Sequence, residues 1–159
     1  MSQCLSELFC VLRYCNLDCN EMDNLINWGM KTGEPSVIRH CLGMMLSFVE
    51  SNPARVSPLL QAALSDSTVA SAISSDALSS VCYVRLCWRL YESNKDVSYL
   101  KVLCSLAQQP IEASSLLAME FLCSLSFNEL NAFNLNGDAG NGGKLPNPLV
   151  MHRTHSVYC

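Results

Sequence analysis

An all-α fold is what this chain predicts, and three observations carry that expectation. Apolar residues recur at helical spacing almost throughout 3–130. No long run alternates apolar and polar residues as a half-buried strand would, and no Asn-Gly turn joins two such runs. Four apolar segments end in a small polar knot at Asn20, Asn52, Asn94 and Asn128, spaced 32, 42 and 34 residues apart. Together these predict a right-handed stack of seven or eight helices over about 3–130. An Asn/Gly-rich tail is expected over 131–159.

Each element has its own justification. Leu5, Leu8, Phe9, Leu12 and Cys15 repeat at i, i+3, i+4 and i+7, as one buried stripe of a first helix would. Met22, Leu25, Ile26, Gly29 and Met30 make a second, which Gly33 ends. Pro35 suits the first turn of a third helix. Its stripe is Ile38, Cys41, Leu42, Met45 and Val49, and Pro53 is expected to stop it. A fourth runs from about Ser57 through Leu64. Seven serines crowd 65–80, where Val69, Ala72 and Ile73 allow a short helix capped by Ser67. Asp76 is the expected N-cap of a sixth helix, which reads DALSSVCYVRLCWRLYESN and has almost no polar face. A helix apolar nearly all round is buried on several sides. Asp96 caps a seventh that Pro110 ends, and Ile111 to Leu125 form an eighth that fades at Asn131.

From 131 onward the composition changes. Four of the seven glycines fall between 137 and 143, among repeated asparagines, and such a stretch is expected to remain disordered. A stack of repeats normally closes on a polar capping unit. Repeats that give way to such a tail are the pattern expected of a chain shortened from a longer array.

Composition narrows the function classes. Ten Lys and Arg against fourteen Asp and Glu leave a net charge of −4, the wrong sign for a nucleic-acid binder. The longest uncharged stretch is ten residues, well short of the ~20 a membrane-spanning helix needs. The N-terminus lacks a basic n-region, and none of the twelve asparagines opens an Asn-x-Ser/Thr sequon. An intracellular protein, cytoplasmic or nuclear, is expected. In such a reducing compartment the ten cysteines are thiols, and Cys10, Cys41, Cys82, Cys104 and Cys123 are expected in the core.

The repeated units, 36–52 (SVIRHCLGMMLSFVESN), 79–94 and 113–128, resemble armadillo/HEAT-type helical repeats. The resemblance covers about 3–130. It implies a curved interaction scaffold with no catalysis of its own.

Candidate chemistry is sparse. GxSxG, GxGxxG, CxxC and the P-loop are all absent. His152, His155 and Cys159 offer three zinc ligands where a structural site wants four on a fixed scaffold, so no metal or other cofactor is expected. His40, the one histidine of the helical region, is placed at an exposed or groove-edge position. Arg85 and Arg89 stand four residues apart on one edge of the sixth helix, where a partner's carboxylate could be held bidentately. The plainer explanation is a solvated edge or a pair with Glu92. Trp88, between them, is either a core residue or a groove anchor, and its apolar neighbours favour the core. The expected partner surface therefore comprises Arg39, His40, Arg85, Trp88 and Arg89, facing an acidic peptide or helical protein. The rival expectation is a cysteine-based metal- or redox-responsive protein.

Overall fold

The computed structural model describes residues 2–137 apart from 13, 14 and 16. Among them there are nine helices and no strand: α1 (Ser2–Leu12), α2 (Cys19–Met30), α3 (Pro35–Phe48), α4 (Pro53–Leu64), α5 (Ser67–Ser75), α6 (Ala77–Asn94), α7 (Val97–Ala107), α8 (Glu112–Cys123) and α9 (Phe127–Gly137). The all-α expectation holds, while the expected count of seven or eight falls short. The eighth predicted helix is two helices, α8 and α9, and α9 crosses the boundary drawn at 131. The residues beyond Gly137 lie outside the described ones.

Local chemistry explains the boundaries. Asp18 accepts from the amides of Asn20 and Glu21, and Glu21 accepts from the Asp18 amide, a reciprocal capping box that starts α2 ahead of its apolar stripe. Gly33 closes that turn at φ +68°, a left-handed conformation that costs glycine nothing. Pro53 does not merely follow α3: it opens α4, in the first turn, where its missing N–H has no helical partner to lose. The short fifth helix is capped by Asp66, whose carboxylate accepts from the Thr68 amide, rather than by Ser67. Asp76 and Asp96 cap α6 and α7 as expected, accepting from the amides of Ser79 and Ser98.

Helix α6 is the hub of the packing. It meets α3, α4, α5, α7 and α8, and buries Tyr83, Val84, Leu86, Cys87, Leu90 and Tyr91 among them. Helices α1, α3, α6 and α8 contact one another in that order. At the starts of α3 and α6 the Ser79 hydroxyl donates to the Pro35 carbonyl (3.3 Å), and at their far ends Arg89 reaches Glu50 (3.4 Å). The two helices therefore run side by side in the same direction. Trp88 stacks on Phe121, with centroids 4.9 Å apart, and Tyr91 beyond it donates to Glu129 just past α8.

On the other side, Arg55 at the start of α4 holds Asp23 of α2 (2.6 Å), also donates to the Cys19 carbonyl, and lies over the Phe48 ring. Ser57 and the Tyr99 hydroxyl, 2.6 Å apart, tie α4 to α7. The stripe expected on α3 is buried in full: Ile38, Cys41, Leu42, Met45 and Val49. Gly29 makes the tightest approach to it. A Cβ there would lie 2.5 Å from both Cys41 Sγ and Phe9 Cζ, so α1, α2 and α3 meet at a point that admits no side chain.

The cysteine expectation divides. Cys41 is buried, while Cys82 and Cys104 are half-buried. Cys10 and Cys123 are exposed, because each falls on the outward side of a helix that packs along a single face. Cys87, on the hub helix, is the other fully buried thiol.

Glu129 fastens α9 to the end of α6. Its carboxylate accepts from Lys95 (2.8 Å), the Tyr91 hydroxyl (3.1 Å), and the Ser126 amide and hydroxyl. Lys95 is itself the left-handed C-cap of α6, at φ 54°. The bond from Lys95, followed by those from Ser126, holds the Glu129 carboxyl down to about 2. A depressed carboxyl stabilises the fold above its unfolded value near 4.5, and that stabilisation is lost as pH falls toward 2. Glu129→Gln keeps the capping geometry and removes the charge. At pH 7 the variant should melt below the wild type, and thermal melts should show this gap closing between about pH 4.5 and 2.

Candidate functional site

The burial of one α3 stripe leaves Arg39, Gly43 and Leu46 half-buried along its flank, with Glu50 exposed past the end of the helix. Alongside it runs the outward edge of α6: Leu78, Cys82, Arg85 and Arg89. An open groove of about 430 Å³ lies at this seam, lined by Arg39, His40, Gly43, Leu46, Ser47 and Cys82. Gly43 contributes no side chain to the wall, and Leu46 and Cys82 supply apolar surface. Leu78, 57% exposed, flanks the amino-terminal end of the α6 edge.

The structure brings the expected residues together unevenly. Arg39 and His40 line the groove, and His40 Nε2 lies 3.2 Å from the Ser6 hydroxyl, which ties α3 to α1. Arg85 is exposed on the adjoining edge of α6. Arg89 follows one turn later and is engaged by two carboxylates, Glu50 across the helix seam (3.4 Å) and Glu92 on its own helix (3.2 Å). Trp88 is half-buried between α6 and α8, where it stacks on Phe121 at an interplanar angle of 6° and also touches Tyr91. That stack contributes roughly 0.5–1.5 kcal/mol beyond simple burial, and it places Trp88 with the packing core.

Glu50, Gly43, Leu46 and Ser47 were missed as site residues. The signal that finds them is the complement of the α3 stripe: if 38, 41, 42, 45 and 49 face inward, then 43 and 47 lie opposite, with 39, 46 and 50 on the flank. A second signal is the repeated triplet Glu-Ser-Asn, at 50–52 and 92–94. Its two glutamates are the two partners of Arg89.

Among the described residues, no group of three or more His, Cys, Asp or Glu is placed to hold a metal ion. The histidines and cysteine of the segment 152–159 lie outside those residues. Also among the described residues, no helix is long and apolar enough to cross a membrane. No protein-family model, curated protein or solved structure matches the chain.

The thiols differ sharply in chemistry. Burial pushes Cys41 and Cys87 up to about 12, and burial also raises Cys104. Cys4, Cys10, Cys15, Cys19 and Cys123 are exposed. The thiolate is the reacting species, so at pH 8 a thiol of pKa near 12 is ionised to only about one part in ten thousand. In a timed reaction of the native protein with an aromatic disulfide reagent, the exposed thiols should react first. Cys41 and Cys87 should wait for unfolding. Peptide mapping that finds either of them in the fast phase would contradict this assignment.

Proposed function

We propose that the chain is a protein-interaction scaffold of armadillo/HEAT-like helical-repeat type, acting in the cytoplasm or nucleus. It has no catalysis or cofactor of its own, and holds an acidic peptide or an acidic helical partner along the α3–α6 face. The observation that carries this reading is the open groove lined by Arg39 and His40 of α3, with the exposed Arg85 on the adjoining edge of α6, on a chain of net charge −4. A local positive surface on an acidic protein steers acidic segments to one place. Further support comes from the packing order α1, α3, α6 and α8 and from the shared direction of α3 and α6. Stacked helical repeats produce both features, and they leave an extended face for a partner.

Arg39 and Arg85 would donate charge-assisted hydrogen bonds to partner carboxylates, with Leu46, Cys82 and Leu78 covering apolar side chains between them. Affinity capture with the intact chain, read by quantitative mass spectrometry, tests the reading. The double variant Arg39→Glu, Arg85→Glu should lose tenfold or more of the specifically captured protein, because each charge-assisted bond contributes on the order of 1.5–3 kcal/mol. Its melting temperature should stay near that of the wild type, since surface changes usually stay within about 0.5 kcal/mol. A folded variant that captures the same protein undiminished would move the binding face elsewhere.

A further inference from the structure

Past the groove residues, on the same α3–α6 seam, stands a carboxylate of the chain's own. Glu50 follows α3, is 70% exposed, and reaches across the seam to place Oε1 3.4 Å from an Arg89 guanidinium nitrogen. Glu92 takes the other terminal nitrogen at 3.2 Å. A guanidinium fork can hold one carboxylate with two parallel bonds, but here it is divided between two carboxylates with one contact each. Two negative charges thus face one positive charge at Arg89, one helical turn beyond the exposed Arg85, whereas Arg39 and His40 line the groove nearer the start of α3. Glu92 pairs from within α6, three residues along the same helix. Glu50 approaches from across the α3–α6 seam, from just past the end of α3.

We propose that Glu50 is a specificity-determining residue of the α3–α6 face beside this groove, occupying Arg89 in the place of a partner's carboxylate. This inference rests on the acidic-partner reading of the groove. The favoured occupant is a partner segment whose carboxylates meet Arg39 and Arg85. A segment that carries its charge at the Arg89 end is repelled by Glu50 and Glu92 and finds the guanidinium already engaged. Discrimination by an intrinsic like charge adds selectivity without a new attractive contact. Because both Arg89 and Glu50 are half or more exposed, at 50% and 70%, the pair is weakly held and its removal has a modest, measurable effect.

The probe is a fluorescein-labelled oligoglutamate, which carries carboxylates along its whole length. It is titrated with the full chain at low ionic strength and read by fluorescence anisotropy. Glu50→Gln should tighten binding roughly two- to fivefold by releasing Arg89, the range an exposed ion pair supports. Glu112→Gln, which removes an exposed acid on α8, controls for overall charge and should change binding much less. Arg85→Glu should weaken it. If the wild type binds and Arg85→Glu weakens it, but Glu50→Gln tightens binding no more than Glu112→Gln, the role of Glu50 is overturned and the groove reading stands. If the wild type does not bind, or binds equally well with Arg85→Glu, both are overturned.

Discussion

The burial of α6 is the constraint on which the other packing relations depend. Eighteen residues with very few charges cannot be left facing water, so five other helices close around them. The inner face of α6 buries aromatic, aliphatic and thiol side chains together, and its two amino-terminal serines, Ser79 and Ser80, are also fully buried. The Ser79 hydroxyl shares its one proton between the Asp76 carboxylate that caps α6 (2.6 Å) and the Pro35 carbonyl (3.3 Å), which positions the start of α6 against α3. From that contact α3 is aligned with α6, and the α3 stripe then decides which of its residues face outward. The groove is thus a by-product of packing: it is the outer surface left where two parallel helices have buried their inner ones.

Polar fasteners fix the ends of this arrangement. Arg55 gathers Asp23, the Cys19 carbonyl and the Phe48 ring at one seam, and neighbouring acceptors hold its proton more firmly than usual, chiefly through the bond to Asp23. Glu129 gathers Lys95, Tyr91 and Ser126 at another. Both fasteners join segments more than thirty residues apart in sequence, and both sit where a helix begins. The anionic Glu129 serves twice, stabilising the start of α9 and clamping it to α6, whereas the cationic Arg55 serves as a clamp between α2 and α4.

Helical periodicity made most of the fold readable, because burial of one stripe per helix is what spacing reports. The failures have particular causes. The break between α8 and α9 lay inside a continuous apolar run, where the Leu125 side chain stays buried although the helix has ended. The punctuation was local: Ser126 and Glu129 stand three apart, the pattern of a capping box. Cys10 and Cys123 were misplaced because a cysteine beside Leu or Phe in sequence points the other way on a helix, about 100° round. At the site, the exposed arginines could be named from the sequence, but the state of Arg89 could not. Its partner Glu50 is thirty-nine residues away and becomes a neighbour only once α3 and α6 align. The charge of the face is therefore a property of the helix pairing, which no single helix reveals.

Native-state hydrogen exchange, resolved by residue, tests most directly the claim that α6 and its pairing with α3 frame the molecule. Amides of α6 around Val84, Leu86, Leu90 and Tyr91 should exchange last, together with those of Ile38 to Met45 on α3, and only by global unfolding. Amides of α9 and of the outer turns of α1 should exchange earlier through local opening. Exchange of the α6 amides as fast as those of α9 would contradict the account, since a helix enclosed by five others cannot open alone.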